Sequence, residues 1–254
     1  VIHELPLLGF FRVPSKKQVM KYAVLNLGIV GYSEAYSLQQ ELVNKRRHNQ
    51  IGDTILLLEH RPVITLGRRS QRRNLLVSAE RLKAMGIEVF NADRGGDVTL
   101  HCPGQLVCYP IFDLRQQGRD IHRYLRSLEE VIIQSLRDYA IQAERIEGYT
   151  GVWVKAKGND EKRKLEKQTP CPPPSVSPLS SHQKIASIGV GVKHWISYHG
   201  FALNVNNNLS YFSLIHPCGM ADVQLTSMSN LLGKTVDITA LTQRIIGYFE
   251  EVFL

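Results

Sequence analysis

The sequence predicts an α+β fold in which mixed or antiparallel β-sheets pack against helices, and three observations predict it. Apolar runs of strand length mix with segments of helical period, but without the regular βαβ alternation of a doubly wound sheet. The stretch KIASIGVGVKHWISYHGFALNV is β-rich, with turns at Gly or Asn. With 254 residues, 43% of them hydrophobic and 21% charged, the chain can bury a core without disulfides or metals.

The elements follow in order. Residues 20–30 (MKYAVLNLGIV) read as a strand that stops at Gly31. YSEAYSLQQELVNKRRHN then places Tyr32, Ala35, Leu38, Leu42 and Val43 on one helical face, with Ser33 as the expected cap. DTILLLE is a run of buried-strand type, and RPVITLG follows with a Pro suited to an edge or a turn. Ser78 to Met85 reads as a short helix closed by Gly86, and IEVFN as a strand. RGGDVTLHCPGQLVCYPIFDL reads as a turn, a strand, a Pro-Gly break and another strand. Ile121, Leu125, Leu128, Ile132, Leu136 and Tyr139 recur at three- and four-residue steps and mark the clearest helix. GVWV continues the strands, and a final helix from about Asp237 turns Ile238, Leu241, Ile245, Phe249 and Val252 inward.

Residues 1–19 read as an N-terminal extension and residues 20–254 as a single domain, interrupted by an insertion at about residues 155–183. KAKGNDEKRKLEKQ is charged, and TPCPPPSVSPLSSHQ holds five prolines among fifteen residues, so neither half can bury a core face. A mobile surface loop is expected there, separating GVWV from KIASIGV, which otherwise read as neighbouring strands.

Lys and Arg outnumber Asp and Glu by 31 to 23, a formal charge of +8 that suits an acidic partner. The densest basic run, KGNDEKRKLEK, is mixed with acids and lacks aromatics, which argues against nucleic acid. No apolar run reaches the roughly 18 residues of a membrane span. Cys102, Cys108, Cys171 and Cys218 show neither CxxC nor paired-His spacing, as expected of free thiols in a reducing compartment rather than a zinc site.

Cys218 in HPCGM is the candidate nucleophile. Pro217 and Gly219 favour a sharp turn that exposes the sulfur and aims neighbouring N–H groups at an oxyanion. An unpaired Cys beside a turn is more commonly buried and inert. Lys184 opens an apolar strand; such a lysine is either a snorkelling edge residue or a charge placed beside a thiol. The paired glycines of RGGDVTLH allow a tight turn or the close approach of a ligand. His101 and His199 either donate to a carbonyl or satisfy a buried partner.

In this order, RGGDVTLHCPGQLVCYPIFDL, GVWV, KIASIGVGVKHWISYHGFALNV and LIHPCGM, with LLLEHRPVITLGRR upstream, resemble the octanoyltransferase (lipoate–protein ligase B) family over roughly residues 20–250. The resemblance implies a biotin/lipoate protein ligase-like fold. It also implies that Cys218 carries the acyl thioester and that Lys184 lowers its pKa. Arg94, Gly95, Gly96, Asp97, Val98, Thr99, Leu100 and His101 are implied to line the acyl pocket. Ser187, Ile188 and Gly189 join them, with Gly200, Phe201 and Ala202; Leu100, Ile188 and Phe201 are expected as apolar lining. No cofactor and no metal are implied. The implied donor is acyl carrier protein, and the acceptors are lipoyl domains of 2-oxoacid dehydrogenases or the glycine cleavage H protein. The implied compartment is the cytoplasm, or the mitochondrion or plastid of a eukaryote.

Cys102 departs from the family pattern, which has Gly there, and the insertion is a second departure. The competing readings are an ATP-dependent lipoate or biotin ligase, a non-catalytic lipoyl-domain binding protein, and a cysteine hydrolase using His216 as base. The ligases lack the Pro-Cys-Gly nucleophile.

Overall fold

The computed structural model describes residues 22–156, 178–220 and 223–253. The expected extension at residues 1–19 and most of the expected insertion lie outside these residues. The described residues begin with β1 (Ala23–Val30) and α1 (Tyr32–Arg47). Next come β2 (Thr54–His60), β3 (Val63–Leu66), α2 (Ala79–Ala84), β4 (Glu88–Asn91), β5 (Val98–His101) and β6 (Gln105–Ile111). After α3 (Ile121–Arg137) follow β7 (Ala143–Ile146), β8 (Tyr149–Lys155), β9 (His182–Lys193) and β10 (Ile196–Asn204). The short β11 (Gln224–Leu225), α4 (Met228–Leu232) and α5 (Ile238–Phe253) close the described chain.

The larger sheet runs β1-β2-β6-β10-β9-β8-β7, with β11 beside β9. Its pairs are antiparallel except β1 with β2 and β11 with β9, so the sheet is mixed as expected. Residues alternate between its faces. Ile55, Leu57, Leu106, Cys108, Phe201 and Leu203 face α3 and α5, while Leu56, Leu58, Val107, Tyr109 and Ala202 face α1. Both faces are covered, which is why β2 reads as an unbroken apolar run rather than an alternating one. Leu241, Ile245 and Phe249 of α5 are fully buried, each contributing about 1.5–3 kcal/mol through the area removed from water.

The smaller sheet, β4-β3-β5, sits beside the larger one. Pro62 occupies the turn before β3 and leaves that strand as the middle of three. Ile64, Val98 and Leu100 form its core with Leu82, Ile87, Phe212, Leu214 and Ile215. No helix among the described residues is long and apolar enough to cross a membrane.

Two local expectations change. Ser33 is not the cap of α1: Gly31 holds that position, and its N–H donates to Glu34 Oε2 at 3.0 Å. The Glu34 carboxylate thus satisfies a donor at the positive end of the helix. Ile121 stays 37% exposed at the first turn of α3, whose buried face runs instead through Tyr124, Leu128, Val131, Ile132 and Leu136. Of the expected insertion, residues 155–156 and 178–183 are described. A turn at Pro178–Ser181 leads into β9, whose His182 pairs with Lys155, and the Ala156 N–H donates to Ser181 O at 3.0 Å. GVWV and KIASIGV are neighbouring antiparallel strands, as their sequences indicate.

One glycine fixes how closely two central strands meet. A Cβ on Gly200 of β10 would collide with the Cys108 carbonyl of β6 and stand 2.8 Å from Pro110 Cδ. Gly200→Ala is expected to cost about 1–3 kcal/mol as overpacking, read as a lower denaturant midpoint with an unchanged m-value. An unchanged midpoint would show that the strands are farther apart than described.

Candidate active site

The turn that carries the candidate nucleophile Cys218 is built by backbone geometry. Pro217–Gly219 makes a single 3₁₀ turn in which Cys218 has φ 57° and ψ 23°, and Gly219 follows at φ +71°. A non-glycine residue in the left-handed region is uncommon and strained, so the surrounding structure must hold it. The His216 N–H donates to Asn74 O at 2.9 Å, and Ile215 bridges Leu75. A Cβ on Gly219 would stand 2.5 Å from Asp97 Oδ2, so glycine lets the turn sit against Asp97.

Lys184 reaches the turn from the start of β9. Its Nζ lies 3.4 Å from Cys218 Sγ, and the residue is only 3% exposed. What brings two residues 34 positions apart together is β11: Leu225 pairs with Lys184, and the Thr226 N–H donates to Lys184 O at 3.0 Å. Cys218 is partly exposed, whereas Cys102 and Cys108 are buried.

A pocket opens beside Cys218. It is lined by Arg94, Gly96, Asp97, Val98, Thr99 and His101 from one side, and by Ser187, Ile188, Gly189, Gly200, Phe201 and Ala202 from the other. Arg94 is buried and anchored to Thr65: its Nη2 donates to Thr65 O and Oγ1, both at 2.7 Å. Burial pushes its guanidinium below its ordinary value, an effect offset partly by Tyr32 and by Cys218, within whose electrostatic range it lies. Asp97 serves the loop rather than the pocket interior, accepting from Asn74 Nδ2 and from Val98 N, both at 2.7 Å.

Tyr32, Tyr109 and His199 complete the lining, and the sequence did not single them out as pocket residues except for the ambiguous His199. They belong to a buried group with His60 and His101, in which the Tyr32 ring lies 5.0 Å from that of His60 and 6.2 Å from that of His101. The carbonyl of Val30 can only accept, so His60 Nδ1–H donates to it at 3.2 Å, and Nε2 accepts from the Tyr109 hydroxyl at 2.8 Å. Burial pushes His60 down to about 4 and His101 well below the usual imidazole range. His199 is also lowered by burial, although Asp93 at 2.9 Å opposes the shift. These rings are therefore neutral at pH 7, which leaves Lys184 and Arg94 as the cations of the site.

Two expected residues fall outside the lining. Leu100 is fully buried in the core of the smaller sheet, because the alternation of β5 turns Thr99 and His101 to the pocket and Leu100 away from it. Gly95 supports the wall instead: its N–H donates to Val190 O at 2.9 Å, and its carbonyl would stand 3.0 Å from a Cβ on Gly189. Cys102 adds no second thiol to the pocket. It packs in the smaller sheet's core, and burial pushes its thiol up to about 11.

A family model described as the lipoyl protein ligase A/B catalytic domain matches residues 31–250. An octanoyltransferase from Caldicellulosiruptor saccharolyticus is 45% identical over 236 residues, which is 92% of this chain and 89% of the relative. One from Desulforamulus reducens is 40% identical over 235 residues, 92% of each chain. Among solved structures, a bipartite lipoate protein ligase from Thermoplasma acidophilum aligns with a TM-score of 0.63 at 16% identity, covering 92% of this chain and 84% of that one. A lipoate-protein ligase A bound with ATP aligns at 0.60 and 14% identity, covering 92% and 85%. These two likenesses show the fold alone, and it is the lipoate-ligase-like fold that the sequence motifs implied. The chain belongs to the lipoyl protein ligase A/B family and, within it, to the octanoyltransferases.

Proposed function

We propose that the chain moves an octanoyl group from acyl carrier protein to a lysine of lipoyl domains through a thioester on Cys218. Membership of the octanoyltransferases makes it an acyltransferase; the observation that carries the mechanism is the 3.4 Å contact of Lys184 Nζ with Cys218 Sγ beside the pocket. A cation at that distance favours the anionic, nucleophilic form of the sulfur. The thiolate attacks the donor's thioester carbonyl, the bond to the carrier's pantetheine sulfur breaks, and that sulfur leaves as a thiolate; with no anion left on Cys218, Lys184 gives its proton to the departing sulfur and becomes neutral. The acceptor's amine then attacks the new thioester, its proton passes to Lys184, and Cys218 leaves as thiolate. Each tetrahedral oxyanion needs donors, and the N–H groups of Gly189 and Cys218 are the proposed ones.

Thioester exchange is close to neutral and amide formation is downhill, so the sequence of steps needs no nucleotide. The ligase reading adds an adenylate step for which a cysteine nucleophile has no role. The hydrolase reading needs a histidine on the sulfur, whereas the side chain bonded to Cys218 is Lys184.

An acidic donor also suits the loop between β3 and α2. From Glu59 to Glu80 the chain carries five arginines and no intervening carboxylate. Arg68, Arg69, Arg72 and Arg73 are exposed. The Arg68 and Arg69 N–H groups donate to Arg94 O and Gly96 O, both at 3.1 Å, which fixes this basic loop to the pocket wall. With carrier and lipoyl domain as partners, the compartment is one that holds both: the cytoplasm, or the mitochondrion or plastid if the chain is eukaryotic.

Incubating the protein with octanoyl-carrier in the absence of ATP should add one octanoyl group to the tryptic peptide that contains Cys218, and a lipoyl domain should then remove it. A strict need for ATP, or acylation at another residue, would overturn the proposal.

A further inference from the structure

Lys184 is a cation sealed inside the protein, and among the described residues no carboxylate pairs with it. Its ammonium has two close neighbours, Cys218 Sγ at 3.4 Å and the face of Trp153, whose ring centroid is 5.0 Å away. The indole is itself fixed. Trp153 is fully buried, it is the cross-strand partner of Lys184, and its Nε1–H donates to Tyr149 O at 3.3 Å.

The strand around it is shaped to admit the lysine. Gly151 has φ +126°, and a Cβ there would stand 2.6 Å from Lys184 Cε and 3.2 Å from Nζ. The Gly151 N–H donates to Oε1 of the buried Glu129 at 3.1 Å. The other oxygen of that carboxylate takes Arg126 at 2.7 Å and Arg145 at 3.1 Å. The buried acid on this side is therefore spent on the backbone and on two arginines.

We propose that Trp153 is a positioning residue that holds the Lys184 ammonium against Cys218 Sγ by its aromatic face, in the place a carboxylate would ordinarily take. The inference rests on the reading in which Cys218 and Lys184 are the reacting pair. A carboxylate in contact would screen the ammonium's field and occupy its N–H donors. An aromatic face attracts a cation through its quadrupole, yet it carries no net charge and accepts no proton. The whole positive charge thus acts on the sulfur, and a proton can leave or enter Lys184 without stranding a buried anion beside it.

Other charged or titratable groups near the pair are Arg94 and Asp97 on the pocket wall, His216 beside Cys218, and Glu129 behind Gly151. Changing the electron density of the Trp153 ring leaves all of them in place.

The chain has two tryptophans, so a Trp195→Phe background makes Trp153 the sole site for biosynthetic incorporation of fluorotryptophans, which withdraw density from the ring at nearly constant volume. The measurement is the rate of iodoacetamide alkylation, read on the Cys218 peptide across pH. The expected result is a stepwise fall near neutral pH as fluorines are added, reaching about tenfold, with the pH midpoint moving upward. Trp153→Phe should lie between the two ends of the series. An unchanged rate and midpoint across the series, in protein of unchanged thermal midpoint that still takes up octanoyl, would overturn this inference alone. Failure of the unmodified protein to take up octanoyl would instead defeat the transfer reading.

Discussion

Cys218→Ser is expected to leave a folded protein that transfers no octanoyl group and accumulates no acyl-enzyme. The substitution exchanges one atom in a turn whose backbone is set by Pro217, Gly219 and the His216 N–H bond to Asn74, so the unfolding midpoint should hardly move. The chemistry should change completely. A serine hydroxyl needs a strong adjacent base to become a nucleophile, and the histidines that line the pocket are buried, neutral and committed to Gln105 and Asp93. In the proposed first step Lys184, 3.4 Å from the sulfur, would supply a positive charge rather than a base. Removing a nucleophile that acts as a unit with its partner costs on the order of 10⁴–10⁶-fold in turnover. The check is steady-state transfer from octanoyl-carrier to a lipoyl domain, together with intact-protein mass. Transfer near the wild-type rate in the serine variant would mean that the acyl group never rests on this residue.

Much of the fold was legible because the elements that carry it bury continuous faces. The strands of GVWV and KIASIGV, the periodic helix α3 and the terminal helix α5 announce themselves by what they must hide. The pocket was less legible, for reasons that can be named. Residues Thr99 and His101 face it while Leu100 does not: the apolar side of β5 belongs mainly to the core of the smaller sheet, with only Val98 at the strand's start also reaching the pocket. Tyr32 reads as part of the inward face of α1 and Tyr109 is not singled out within its strand, and only the assembled fold shows that both line the pocket. A hydroxyl buried in an all-buried strand demands a partner, and the His60 ring beneath Tyr109 was the available signal.

The pairing of Lys184 with Cys218 was legible only by resemblance. It depends on β11, two residues long, too short for any period to betray it. Likewise Gln39, on the inward face of α1, accepts the His199 N–H at 2.7 Å, although its polarity makes it look like a surface residue.

Lys184→Arg should separate the two halves of the reaction. Arginine keeps the positive charge, so the sulfur should still react with an octanoyl thioester. A guanidinium is bulkier than an ammonium and does not give up or take up a proton near neutral pH. Space is limited by Trp153 and by the missing Cβ of Gly151, which leave a slot shaped for an unbranched four-carbon stem. The second half needs a group that receives the acceptor amine's proton as the amide forms, a contribution of about 10²–10⁴-fold when supplied by a positioned side chain. Octanoylated enzyme should therefore build up in the arginine variant and discharge to a lipoyl domain slower by that factor. Single-turnover mixing of isolated acyl-enzyme with the acceptor, followed by mass, reads the step directly. Lys184→Ala should lose both halves, because the charge and the proton acceptor go together. Wild-type discharge in Lys184→Arg would show that a positive charge alone is sufficient and that the amine loses its proton elsewhere.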